Sequence, residues 1–336
     1  MRYHIESASV NKAKWDIDSI CRKEGSINLT RHNFGSGPVA RLLTRLFAVF
    51  NILFCLKKSD ILILQYPMKK FYKIACRFAH LKRAKVVTII HDLGAFRRKK
   101  LTPEQENRRL SLTDFLIVHN PTMREHLLKH GFKGGIHCLQ IFDYLSDTNS
   151  TADGKPHTPW QVVYAGSLGS WRSGFLYKLE DCVTTYDLNI YGRGFDDAAN
   201  KCPRIHNKGF MPSDRFISTV EADFGLVWDG DSLNECNGDW GEYLKINNPH
   251  KTSFYLRAGI PVIVWSKAAM APFVKEENVG FAVDSLEQIG ERLATLTTEE
   301  YSQMKKAARS MSERLEQGYY FNEGMKSAYK YLGING

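Results

Sequence analysis

The chain has no CxxC pair and no histidine cluster at zinc-site spacing. Its seven cysteines (Cys21, Cys55, Cys76, Cys138, Cys182, Cys202 and Cys236) are scattered. An odd, unpatterned set excludes a disulfide framework and a zinc module, and reads as reduced thiols in a cytosol. The N-terminal MRYHIESASV lacks the apolar core of a signal peptide and begins as a strand. No uninterrupted apolar run reaches the roughly 20 residues of a membrane span. The most apolar stretch, VARLLTRLFAVFNILFCL at 39–56, is broken by Arg41 and Arg45 and closed by Lys57 and Lys58. Packing in the core is the simpler expectation for it, with membrane contact second. GxGxxG and GxxxxGK[ST] are both missing, which removes most support for a dehydrogenase or a P-loop NTPase. Internal repeats and low-complexity blocks are also absent.

What is present is an ordinary globular composition spread over two domains' worth of chain. A length of 336 residues suits two cores of about 150 residues each. The polar segment SDTNSTADGKPHTP at 146–159 is the best linker, dividing the chain into 1–150 and 151–317, with 318–336 a last helix expected to return to the first domain. Charge is divided unevenly. Residues 1–150 hold 26 Lys+Arg against 12 Asp+Glu, and the remainder hold 20 against 24. The first half is therefore expected to face something anionic, with nucleic acid and an anionic membrane surface as the candidates.

Both halves alternate strand and helix. Strands are expected at 3–7, 61–65, 86–90 and 115–119, and then at 162–165, 188–191, 224–228, 260–265 and 280–283. Apolar runs of this length suit parallel strands covered on both faces. A helix over 69–85 interleaves Lys69, Lys70, Lys73, Arg77, Lys82, Arg83 and Lys85 with Phe71, Tyr72, Ile74, Phe78 and Leu81, a pattern suited to an interface. The fold class is α/β, with two Rossmann-like halves.

The organising stretch is 243–265, YLKINNPHKTSFYLRAGIPVIVW. Asn247-Asn248-Pro249 opens a loop, 251–258 reads as a short helix, Gly259 stops it, and a buried strand follows. Unpaired N–H groups and partial positive charge gather at a helix N-terminus, so this one favours an anion such as a diphosphate, with Lys245 and Lys251 flanking it. On spacing alone, an ordinary loop–helix–strand unit with solvated lysines fits equally well. The Gly166-Ser167-Leu168-Gly169 turn follows a strand and could let backbone N–H groups approach a phosphate. Asp229-Gly230-Asp231 offers two carboxylates for a divalent metal, although contact with sugar hydroxyls or a structural turn is the better expectation. His91-Asp92 lies just past a strand end, where open α/β sheets place ligands, and could supply a general base. A structural aspartate capping the next turn fits that pair as well.

The strings FGLVWDGDS and GEYLKINNPHKTSFYLRAGIPVIVW, with VTIIHDLGAFR, IVHNPTMREHLLKHGF, YAGSL, YGRG and KGFMPSDRF, resemble bacterial glycosyltransferases of the β-1,6-galactofuranosyltransferase type and the glucosyltransferases that extend GlcNAc on serine-rich adhesins. The resemblance covers nearly the whole chain in order. It implies a GT-B fold, two Rossmann-like domains facing each other across a cleft, with a UDP-sugar donor on the second and a saccharide acceptor on the first. By that resemblance Lys245 and Lys251 hold the UDP diphosphate. Gly166, Ser167, Tyr191, Gly192, Gly209 and Phe210 line the nucleotide pocket, and Asp229, Tyr243, Asn248 and Thr252 complete the donor contacts. The segment before Ala258-Gly259 lacks the E-x7-E glutamates of many retaining GT-B enzymes, which leans towards inversion. Gly94-Ala95 stands where a larger or acidic residue is expected.

The mechanism expected from these residues uses Lys245, Lys251 and the helix N-terminus to stabilise departing UDP, with no metal or other cofactor required. Asp92, with His91, deprotonates the acceptor hydroxyl. A lipid-linked acceptor would place the enzyme in the cytoplasm, peripheral to the inner face of the bacterial membrane, where basic residues are attracted to anionic lipid. A homo-oligomer is compatible with all of this. The competing reading is a non-enzymatic basic protein that binds nucleic acid through Arg97-Arg98-Lys99-Lys100 and the 69–85 helix. No nucleic-acid module supports it.

Overall fold

The computed structural model describes residues 1–6, 11–35, 37–68, 71–97, 101–151 and 154–334. The chain divides into two compact units, Met1–Leu139 with Gly318–Gly336, and Gln140–Gln317. The boundary therefore falls eleven residues before the expected 150. Its cause is visible in the 140–151 segment, which is tied into unit 2. The buried Arg257 guanidinium donates to the carbonyls of Ser146 and Thr148, both at 2.9 Å, and Thr151 Oγ1 donates to Ser218 O at 3.0 Å. A polar composition marked this segment as exposed, but its backbone carbonyls satisfy a buried cation.

Unit 1 contains β1 (Arg2–His4), β2 (Ile27–Asn28), β3 (Ile61–Tyr66), β4 (Lys85–Ile90), β5 (Phe115–Val118) and β6 (Gly135–Cys138), in the order β2-β1-β3-β4-β5-β6 and parallel throughout. The central strands β3 to β5 are buried along almost their whole length, as runs such as ILILQY require when helices cover both faces. The last helix, Tyr319–Leu332, packs on β5 and β6. Phe115 and Tyr331 bring their rings to 5.5 Å, and a Cβ added at Gly324 would lie 3.0 Å from Ile117 Cδ1.

The apolar stretch does form a helix, Pro38–Cys55, but the expectation that it packs in the core is overturned. Only Thr44, Ala48, Val49 and Ile52 are buried in it. By length and composition alone it would suffice to cross a membrane. The basic helix runs over Phe71–Leu81; Lys69 and Lys70 lie outside the described residues, as do Arg98, Lys99 and Lys100.

Unit 2 contains β7 (Trp160–Ser167), β8 (Tyr186–Arg193), β9 (Ile205–Asn207), β10 (Phe224–Val227), β11 (Val262–Trp265) and β12 (Gly280–Val283), ordered β12-β11-β10-β7-β8-β9 and again parallel. The chain enters at β7, moves out to β9, then returns to lay β10 on the other side of β7. That reversal is a topological switch point, and ligands of open parallel sheets bind at the carboxyl ends of the strands flanking it.

Candidate active site

The ends of β7 and β10 carry Gly166 and Asp229. The helix His250–Arg257 is fixed between them by two contacts. Gly225 on β10 has no side chain, and a Cβ there would meet the Tyr255 ring at 2.3 Å. Tyr255 therefore seats flat on the strand, and its hydroxyl accepts the Ala165 N–H of β7 at 2.6 Å. So held, the helix aims Lys251, in its first turn, at the switch point.

Lys251 Nζ donates to Tyr164 Oη at 2.8 Å and to Asp229 Oδ1 at 3.1 Å. Arg172 approaches the same carboxylate from the other side, Nε to Oδ1 at 3.1 Å and Nη2 to Oδ2 at 3.3 Å, while its guanidinium lies 4.2 Å from the centre of the Trp240 ring. Two cations thus share one buried anion. Burial lowers the Lys251 ammonium from its usual range, and Asp229 pulls in the opposite direction. For Asp229, burial pushes the carboxyl up, yet the Lys251 and Arg172 charges outweigh it and hold the group below the ordinary range. With Lys251 and Arg172 both paired to Asp229, the ion-pair geometry sets two cations against one anion. Such an excess at a strand end and a helix N-terminus is suited to a bound anion.

Glycine is required where the turns approach each other. Gly166 and Gly192 are directly paired in the β7–β8 register, and a Cβ on Gly192 would lie 1.9 Å from Gly166 O. The Gly192 N–H donates to Gly209 O at 2.9 Å, which draws the third predicted turn to the first two. The resulting cavity, about 450 Å³, is lined by Gly166, Tyr191, Gly192, Phe210 and Lys251 among the predicted residues. Phe210 stands at its rim, largely exposed, with the Arg193 guanidinium 4.6 Å from its ring centre.

The other predicted donor residues are placed differently. Ser167 has its carbonyl occupied by Ser173 Oγ at 2.8 Å. Tyr243 is buried, and Asn248 is buried with its Nδ2 donating to Gln140 O at 2.8 Å. Lys245 lies outside the cavity, paired with Glu242 at 2.8 Å and 5.5 Å from the Trp265 ring centre. Thr252 is fully buried. Among the described residues, its Oγ1, Ser253 Oγ and Asn247 Oδ1 have no hydrogen-bond partner. No side chain caps that helix.

Sequence reading missed Arg172, Tyr164 and a continuous aromatic wall. Tyr144 stacks on His250 (4.9 Å between ring centres, 28° between planes), and Phe254 packs on both Tyr144 and Phe216. Tyr191 meets Phe216 edge-on at 5.1 Å. A flat base has rings to stack on beside a cation to hold its phosphates. These aromatics come from four separate segments, so no local motif gathers them.

His91 and Asp92 belong to unit 1. His91 is buried, with Nε2 2.7 Å from Gln65 Oε1, and Gln65 in turn donates to Asp18 at 2.6 Å. Asp92, half-buried, acts on Lys14: burial lowers that ammonium, and the Asp92 charge opposes the shift. The following Gly94 and Ala95, which depart from the expected pattern, serve through their backbone. Both N–H groups donate to the buried Glu106 carboxylate, at 2.7 and 2.9 Å, and the Tyr66 hydroxyl adds a third bond at 2.8 Å. Asp231, the other carboxylate of the DGD turn, is exposed and bonded to Asn237 at 2.7 Å.

The two family models that match are described as Glucosyltransferase 3-like, N-terminal domain, over residues 2–141, and Glucosyltransferase 3-like, C-terminal domain, over residues 162–328. The chain is similar to Beta-1,6-galactofuranosyltransferase WbbI of Escherichia coli (strain K12), 33% identical over 315 residues, 93% of this chain and 92% of that protein. It is similar also to Glucosyltransferase 3 of Streptococcus gordonii, 28% identical over 270 residues, 78% of this chain and 77% of that one. Among solved structures, the apo form of the lipopolysaccharide outer core galactosyltransferase WaaB superposes with a TM-score of 0.62 at 13% identity, covering 98% of this chain and 99% of that one. That likeness speaks for the fold, which is GT-B.

Proposed function

The chain belongs to the Glucosyltransferase 3-like family and is a hexosyltransferase that draws on a nucleotide-sugar donor; from that premise we propose that it moves a hexosyl unit, galactofuranose before glucose or galactose, from a UDP-sugar to a saccharide acceptor of cell-surface polysaccharide. The observation that carries this reading is the cluster in which Lys251 and Arg172 share the buried Asp229 carboxylate beside the Gly166 and Gly192 turns. Its excess positive charge suits the diphosphate, and the aromatic wall suits the uracil. The preference for galactofuranose rests on the relative that is 33% identical.

In this mechanism UDP leaves as its developing charge is met by Lys251, Arg172 and the N-terminus of helix His250–Arg257. Asp229 fixes both cations in place before the donor arrives, so no reorganisation is needed when charge develops. With its oxygens already shared by two cations, Asp229 is a poor metal ligand, which supports a metal-independent transfer; the inverting course is proposed from the missing E-x7-E glutamates. Asp92, set beside His91, takes the proton from the acceptor hydroxyl. A lipid-linked acceptor at the inner face of the cell membrane completes the proposal.

Thermal melting with UDP, GDP, CMP and UDP-sugars tests it. A ligand of the folded state raises the midpoint by mass action. UDP and one UDP-sugar are expected to stabilise the wild type, and Lys251→Ala is expected to abolish the shift while keeping the wild-type circular dichroism. Asp92→Asn should keep the UDP shift and lose transfer, with turnover unchanged by EDTA in the wild type. A flat nucleotide panel would sink the donor site; full transfer by Asp92→Asn would remove it as the base.

A further inference from the structure

Helix Pro38–Cys55 leaves six large apolar side chains in the open. Val39, Leu43, Phe47, Phe50 and Phe54 are exposed, Phe54 at 82%. Their spacing of four, four, three and four residues puts all five on one stripe of an α-helix. The opposite side packs into unit 1 through Ala48, Val49 and Ile52. The stripe does not end at the helix edge. Phe50 and Phe78 bring their rings to 5.8 Å, joining it to helix Phe71–Leu81, where Ile74 and Leu81 are also exposed. At the other end Phe34, half exposed, meets Phe47 at 6.0 Å.

Charge around this patch is predominantly basic, with Asp114 paired to His80 and Lys85 at the end of the second helix. Residues 31–85 contain twelve lysines and arginines and a single acid, Asp60. Asp60 is buried and bonded to the N-terminal amine at 2.9 Å, so it does not offset the surface. Arg41, Lys57 and Lys58 are exposed at the first helix and its end, and Lys73, Arg77 and Arg83 on and after the second. An apolar stripe bordered by long basic side chains is the composition of a helix lying in a bilayer interface, tails below and headgroup phosphates alongside.

We propose that this face of unit 1 docks on an anionic lipid bilayer, with the 39–54 stripe in the acyl boundary and the surrounding lysines and arginines on the headgroups. The proposal deepens the membrane part of the reading above and rests on unit 1 alone. A second copy of the chain is the weaker occupant, because a two-fold contact would set the same unbalanced cations against each other. A transmembrane course is disfavoured by Arg41 and Arg45 within the first turns, and by the side of the helix already packed on protein.

The test is co-sedimentation of the full chain with vesicles of phosphatidylcholine alone and of phosphatidylcholine mixed with phosphatidylglycerol. Binding is expected to the anionic vesicles and to weaken by about tenfold or more in high salt. The double variant Phe47→Ser/Phe54→Ser, altered only at exposed positions, should bind at least about tenfold more weakly. Lys57→Glu/Lys58→Glu should weaken binding to anionic vesicles alone. Both variants should keep the UDP melting shift, so failure here and failure of the donor site are read separately. Wild-type protein that binds neither vesicle, or a Phe47→Ser/Phe54→Ser variant that binds like wild type, overturns the proposal. So does a concentration-dependent dimer in light scattering that this variant dissolves, which would assign the stripe to a second copy.

Discussion

The two units share a six-stranded parallel plan, yet they finish the carboxyl ends of their strands in opposite ways. In unit 1 the helix Pro103–Leu110 supplies an anion to the turn after β4: Glu106 accepts the N–H groups of Gly94 and Ala95 and the hydroxyl of Tyr66. In unit 2 the strand-end region gathers two cations on Asp229, with one charge in excess, beside the start of helix His250–Arg257. A strand-end loop that satisfies its donors internally can be stiff without a ligand. One that gathers cations is suited to an anion. The same scaffold therefore ends on a carboxylate that accepts from backbone and hydroxyl donors in one unit, and on a carboxylate that bridges two cations in the other.

The sharpest way to break this contrast is Asp229→Asn. With the shared anion gone, the half-buried Lys251 and Arg172 face each other unpaired, and stability should fall by about 3–5 kcal/mol. Bound UDP should recover more of that loss than it adds to the wild type, because the diphosphate replaces the missing charge. Denaturant titration with and without UDP measures both. Equal UDP stabilisation of variant and wild type would break the comparison.

A second test acts on unit 1 through acid. His119 is fully buried with Nε2 3.0 Å from Ile90 O, and burial lowers it from 6.5 to about 4. The unfolded chain therefore takes up its proton at a higher pH than the folded one. The stability contributed by the neutral ring is complete above pH 6.5 and is lost as pH falls through about 4. That is on the order of 3 kcal/mol in full. His119→Gln should flatten the acid limb of a stability–pH curve while changing little at pH 7. An unaltered limb would assign the loss to other groups.

The smallest effect is expected from Glu106→Gln, which leaves one acceptor oxygen where the carboxylate had two. A cost of about 1–3 kcal/mol is expected, seen as faster hydrogen exchange at Gly94 and Ala95 with the UDP melting shift intact. A lost UDP shift would mean that the two strand-end regions are not energetically separate.

Much of the fold is legible in the sequence because its central strands carry their own signal. Runs such as ILILQY and FGLV are apolar on both faces, and they appear as β3 and β10. The short edge strands do not: β2 is two residues, β6 reads GIHC and β9 reads IHN, and pairing with a neighbour, not composition, makes them strands. Lys251 is legible because Asn248-Pro249 forces a loop just ahead of it. Lys245, six residues earlier, has the same chemistry, but the turn after helix Gly238–Tyr243 points it to Glu242. Arg172 and the Tyr144–His250–Phe254 wall become neighbours only when β7 and β10 are laid side by side. Hydropathy identified the 39–56 helix and misjudged its burial, since a side chain suited to a core is equally suited to lipid.

The return of helix Tyr319–Leu332 to unit 1 bears on how the protein is made. Unit 1 is the first to leave the ribosome and the last to be completed. Throughout synthesis of residues 140–317, Phe115 on β5 lacks Tyr331 and Ile117 lacks the Gly324 surface that covers it. A nascent chain halted anywhere in unit 2 presents an uncovered apolar sheet, an invitation to chaperones and proteases that only the final helix withdraws.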